Sequence, residues 1–106
     1  MGRVRLADWT TTPGGRFRSE GPFSGEQFRE DVVAPAFRAE GHVDVDLDGV
    51  VGLPVGFLDE VFGGLAREVG PSIHGKVGFT CLDEPDIVED IQAFIENGVQ
   101  AWVPRA

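Results

Sequence analysis

The sequence is short of several things, and each shortage narrows what the chain can be. It has one cysteine, Cys81, so no disulfide can close within it, and a reducing, cytoplasmic setting is expected. No run approaches the ~18 apolar residues that a membrane-spanning helix needs. The opening MGRVRLADW lacks the apolar core of a secretory signal, so no membrane association is expected. Positive charge is scarce: nine Lys and Arg stand against eighteen Asp and Glu, for a net charge of -9. Such a surface cannot neutralise a phosphate backbone, so no nucleic-acid partner is expected. Hydroxyls are missing from the centre, with no Ser, Thr or Tyr between Asp44 and Pro71.

What is present fits one globular domain over residues 1–106, with 42% hydrophobic and 25% charged residues. The charge is uneven. Residues 1–18 hold four arginines (Arg3, Arg5, Arg16, Arg18) against Asp8 alone, a net +3 within an acidic chain. This basic island is either a solvated face or a patch for an anion or an acidic partner.

Along the chain, Arg3-Val4-Arg5-Leu6 and Arg16-Phe17-Arg18 alternate polar and apolar residues around a Thr-, Pro- and Gly-rich loop. That pattern predicts a β-hairpin with the four arginines on one face. Ser24 and Gln27 form a capping box, and Phe23 and Phe28 a hydrophobic staple, at the start of a helix ending near Glu40 and Gly41. Pro35 should kink or restart that helix. His42 to Asp48 alternates strictly, with Val43, Val45 and Leu47 opposite Asp44, Asp46 and Asp48. Three carboxylates cannot share a buried face uncompensated, so helices should cover one side of this strand only. Alternate strand residues lie ~6.5 Å apart, loose for chelation, and no metal is expected.

Gly49 to Gly56 reads as a turn, and Pro54 suits the first turn of the helix that follows. Phe57, Leu58, Val61, Phe62, Leu65 and Val69 form that helix's apolar stripe, with Asp59, Glu60, Arg67 and Glu68 as its wet side. Gly63-Gly64 costs helix stability and implies close backbone approach, either to the sheet or to another molecule. Lys76 to Leu82 reads as a further strand. Ile87, Val88, Ile91, Phe94 and Ile95 line a last helix, ended by Asn97-Gly98. Val99 to Val103 is left as a short strand or a tail on the core. Strands alternating with helices imply parallel pairing. The expected fold class is therefore α/β, a mixed sheet of N-terminal hairpin plus parallel strands with helices mainly on one face.

Three motifs carry a resemblance: the Pro-Gly-Gly-Arg turn at Pro13 to Arg16, the Ser-Gly-Glu-x-Phe-Arg helix start at Ser24 to Arg29, and Phe-Leu-Asp-Glu-x-Phe-Gly-Gly-Leu at Phe57 to Leu65. Together with Asp46-Leu47-Asp48-Gly49-Val50 before the turn, they resemble small bacterial STAS-like domains of unassigned function, relatives of the anti-sigma factor antagonists. The resemblance runs over residues 1 to about 100. It implies a cytoplasmic, non-enzymatic partner-switching adaptor with a histidine-kinase-like ATPase as partner. In the classical regulators that partner phosphorylates a hydroxyl at the start of the helix, and the added charge breaks a complex. Here Pro54, Val55, Gly56 and Phe57 occupy that place, and Gly56 stands at the acceptor position, so the usual switch cannot operate.

The expected partner surface is Gly52, Pro54, Val55, Gly56, Asp59 and Glu60. The alternative is a small-ligand or nucleotide site on the Gly49–Phe57 turn, where backbone N–H groups could cradle a phosphate, although neither GxGxxG nor a Walker pattern is present. An enzyme is not expected, because His42, His74, Cys81 and the acids form no nucleophile–base pair at a recognisable spacing. No cofactor is expected. Homo-oligomerisation stays open, since exposed sheet edges, Trp9 and Trp102 offer surfaces for self-pairing.

Overall fold

The computed structural model of the protein describes residues 2–104. Strands β1 (Arg3–Arg5), β2 (Val43–Asp46) and β3 (Val77–Thr80) form a sheet in the order β1-β2-β3, and both pairings are parallel. The register sets Val45 between Val4 and Phe79, and Asp44 between Arg3 and Gly78. Each strand therefore sends its apolar residues to one face and its polar ones to the other. Val43 and Val45 are buried, while Arg3, Arg5, Asp44 and Thr80 are exposed. Helices cover the valine side only, as the alternation of residues 42–48 predicts.

The N-terminal hairpin does not form, and the described sheet is all parallel rather than mixed. Arg16-Phe17-Arg18 is not a strand; the chain runs irregularly into a 3-10 turn, Arg18–Glu20. The reason lies in where its backbone acceptors go. The carbonyls of Gly15 and Arg16 accept from the amides of Gly25 (2.9 Å) and Glu26 (3.0 Å). Those amides open a helix and have no partner inside it. The loop thus caps a helix instead of pairing with a strand.

After a single turn, α1 (Leu6–Trp9), comes α2, residues 25–40. Ser24 is its N-cap, accepting from the Gln27 amide at 3.1 Å, and the Gln27 side chain accepts in return from Phe23 N–H at 3.1 Å. The staple has a third member. Trp9 lies between Phe23 and Phe28, with ring centroids 5.2 and 4.9 Å away. Instead of breaking at Pro35, the helix widens into a π turn, Arg29–Val33, just before it. A proline lacks the N–H that a continuous ladder requires, and the wide turn absorbs the defect. Gly41, at φ +76°, closes the helix.

Helix α3, residues 55–69, repeats this plan, with a π turn at Asp59–Gly63. It is the central helix, buried on every side from Glu60 to Ala66. Its Phe57 stacks on Phe28 at 5.8 Å, and Phe62 meets Phe79 of the sheet at 5.5 Å. Helix α4 (Ile87–Ala101) runs through Asn97 and Gly98 instead of stopping there. Gly98 is a contact rather than a terminus. A Cβ on it would lie 2.5 Å from the Gly63 carbonyl oxygen and 2.6 Å from Ala66 Cβ. The glycine pair approaches helices rather than the sheet: Gly63 faces α4 at this crossing, where a Cβ would lie 3.2 Å from the Phe94 carbonyl oxygen, and Gly64 faces Arg29 of α2. Residues 99–101 are helical, not a strand, and Trp102 covers the backbone of Gly70.

Candidate functional site

The turn after β2 is built at the carboxyl end of the parallel strands, where α/β sheets commonly place their sites. Strand β2 ends at Asp46, so Asp48 is not part of an acidic strand face. Its carboxylate accepts from the amides of Leu82 (3.0 Å) and Asp83 (2.8 Å), and Asp83 accepts in return from Gly49 N–H (3.1 Å). Asp46 accepts from the Asp48 amide at 2.9 Å. On the other flank, Val51 N–H donates to the Thr11 carbonyl at 2.8 Å. The turn is thus tied to the loop after β3 on one side and to the loop after α1 on the other. Gly49, at φ +88°, takes the left-handed conformation this geometry needs.

Held this way, the turn presents apolar side chains to solvent. Val51 is 84% exposed and Val55 65% exposed. Thr12, Pro13, Val51, Gly52, Leu53 and Pro54 line an open cleft between the turn and the loop after α1. Gly56 lies at the start of α3 beneath Arg16, whose Cβ would be 3.5 Å from a side chain there. Of the expected partner residues, Gly52, Pro54, Val55 and Gly56 gather on this surface. Sequence reasoning passed over Val51, Leu53, Thr12 and Pro13. The available signal was three apolar residues, Val50, Val51 and Leu53, inside a Gly- and Pro-flanked turn.

Asp59 and Glu60 are not on a wet face, and this corrects the sequence reading. Glu60 is 5% exposed and Arg29 8% exposed. The Arg29 guanidinium donates to the Glu60 carboxylate, to the Glu60 carbonyl oxygen (2.9 Å) and to Glu68 (2.9 Å). Arg67 reaches Glu60 at 3.4 Å, and Arg38 reaches Glu68 at 3.1 Å. Burial pulls the Arg29 guanidinium down, but the Glu60 hydrogen bond and the charges of Glu60, Glu68 and Glu30 leave it raised overall. Asp59 is half-buried and holds Arg16. Glycines make room for the network. A Cβ on Gly64 would lie 2.3 Å from an Arg29 nitrogen, and one on Gly25 would lie 2.5 Å from the Phe57 carbonyl oxygen.

The four N-terminal arginines do not form one patch, because the hairpin that would align them is absent. Arg3 and Arg5 stand on the open face of the sheet, Arg5 within 4.0 Å of Asp46. Arg16 is paired to Asp59, and Arg18 bonds Glu30 (3.1 Å) and Asp31 (2.9 Å). Those two carboxylates raise the Arg18 guanidinium above its ordinary value. Cys81 is buried, and desolvation, aided by the charges of Asp48, Glu84 and Asp83, pushes its thiol up despite a backbone hydrogen bond at Glu84. Among the described residues no group of His, Cys, Asp and Glu could hold a metal ion, and no helix is long and apolar enough to cross a membrane.

No curated protein and no solved structure matches the chain. A family model does match, over residues 24–86, from the N-cap of α2 to the loop before α4. That span contains both π-turn helices, the buried Arg29–Glu60 pair and the turn between β2 and α3. The chain belongs to the family described as a STAS-like domain of unknown function, DUF4325.

Proposed function

We propose that the protein is a non-enzymatic interaction module, and that the 49–56 turn is the surface a partner protein recognises. The observation that carries this reading is the pair Val51 and Val55. Two strongly exposed valines on a turn braced from both flanks present apolar area at little ordering cost. The kinship with STAS-like domains supports a regulatory adaptor, with a histidine-kinase-like ATPase as its partner, acting in the cytoplasm. Gly56 stands where classical members carry their acceptor hydroxyl, so recognition here works without phosphorylation of the turn. The nucleotide alternative is less favoured, because Arg16, the cation nearest that helix start, already has its charge met by Asp59.

The test is a binding titration with a histidine-kinase-like ATPase from the same genome, with and without ATP. Val51→Asp with Val55→Asp should weaken binding by at least about tenfold, the cost of burying an unpaired charge at a contact. Residues 49–71 should stay unphosphorylated. Undiminished binding by the double variant would remove this surface, and stabilisation of the protein by nucleotide alone would favour the ligand site.

A further inference from the structure

Strand β3 is an edge. It pairs with β2 on one side, and among the described residues nothing pairs with the other. The carbonyls of Lys76 and Thr80 accept from Val43 and Leu47 of the neighbouring chain segment, at 2.9 and 2.8 Å. Strand alternation then turns the N–H and C=O groups of Val77 and Phe79 outward. Beside this open ladder runs a groove lined by Ile73, Val77, Phe79, Gln92, Ile95 and Glu96. Val77, Phe79 and Ile95 are only half-buried in it. An unpaired ladder next to an unfilled apolar groove is what strand addition uses: backbone bonds hold the added strand, and alternate side chains enter the groove.

The charge around the groove selects the occupant. Residues 77–104 contain six acids (Asp83, Glu84, Asp86, Glu89, Asp90, Glu96) and no Lys or Arg. Glu89 lies three residues before Gln92 and Glu96 four residues after it, so both fall on the groove side of α4. Glu96 bonds His74 at 2.8 Å at one end of the groove, and the cations that flank this stretch in sequence are Lys76, next to Val77, and Arg105. A second copy is a poor fit. Two β3 edges brought together would bring Glu89 and Glu96 of both copies to one interface between molecules of net charge -9. The geometry points to an extended cationic segment of another protein. It would add as a fourth strand to β3, with apolar residues at alternate positions facing Ile95 and Phe79 and Lys or Arg facing the acids. This surface shares no lining residue with the 49–56 turn and does not depend on that turn's function.

The probe is a fluorescent peptide, Lys-Val-Lys-Val-Lys-Val-Lys, titrated into the full chain, with a Glu-for-Lys peptide as control. The expected result is saturable binding of the Lys peptide alone, with amide shifts concentrated at residues 77–80 and 92–96. Raising salt from about 0.05 to about 0.5 M should weaken it by on the order of tenfold. Val77→Pro removes an outward N–H that the inner pairing does not use, and should reduce binding by about tenfold or more. The double variant Glu89→Lys, Glu96→Lys, exposed and outside the sheet, should do the same if Val77→Pro disturbs folding. Absence of saturable binding, equal binding of the Glu peptide, or binding untouched by both variants would overturn the proposal. So would a concentration-dependent doubling of mass that Val77→Pro abolishes, since that would give the edge to a second copy.

Discussion

Two regions of this domain invert the usual arrangement, and they do so a few residues apart. At the contact of α2 and α3, charged side chains lie inside: Arg29 and Glu60 are nearly sealed, with Glu68 and Arg67 completing their shell. On the turn before α3 and at the helix's first residue, apolar side chains lie outside, at Val51 and Val55. The comparison shows which residues hold the fold and which are available to a partner. Asp59 and Glu60 look like surface when counted as charges, but their carboxylates are taken by Arg16 and Arg29. The valines look like core when counted as hydrophobes, but among the described residues they stand exposed.

The largest expected effect comes from breaking the inner region. Glu60→Ala leaves the Arg29 cation buried without its main partner and should cost about 3–5 kcal/mol in equilibrium unfolding. Replacing both, as Arg29→Met with Glu60→Met, should recover most of that loss, because an apolar pair needs no compensating charge. If the double variant proves as unstable as the single one, the network is not acting as a pair.

Next comes the packing behind the network. Gly98→Ala improves helix propensity by about 1 kcal/mol. Yet its new methyl meets the Gly63 carbonyl at 2.5 Å, and backbone cannot move cheaply. The net should be a loss of about 1–3 kcal/mol, read from the urea midpoint. A gain would mean that α3 and α4 separate easily.

The smallest effect belongs to the turn side, at Cys81. Burial raises the thiol in the folded state above its ordinary value near 9.0. The unfolded chain then gives up the proton first. The stabilisation is intact below the ordinary thiol range and fades as pH rises from it through the folded value. Unfolding free energy measured from pH 7 to about 10 should fall, and Cys81→Ala should flatten that part of the curve. An unchanged slope in the variant would assign the fall to other groups.

Much of this was legible in the sequence. The Ser24 cap, β2 from its Val/Asp alternation, the helices and the one-sided cover all follow from periodicity and turn chemistry. The absence of the expected hairpin was not legible, because the alternation of Arg16-Phe17-Arg18 does not reveal that the carbonyls of Gly15 and Arg16 are taken by Gly25 and Glu26. The end of α4 was misread for a similar reason: Gly98 marks a stop only if no other helix needs the space. The inner charge pair did leave a trace. Glu60 follows Phe57 by three residues and precedes Gly64 by four, and Arg29 precedes Val33 by four, so each sits on a buried stripe. Which buried charge meets which is a tertiary fact that spacing within one helix does not contain.

Side-by-side urea unfolding of Glu60→Gln and of the double variant Val51→Ser, Val55→Ser tests the contrast most directly. Glu60→Gln should unfold at clearly lower urea, while the valine variant should stay within about 0.5 kcal/mol of the parent, as exposed sites do. A Glu60→Gln protein as stable as the parent, or a valine variant that loses more than it does, would contradict the assignment of charge to the fold and apolar surface to the partner.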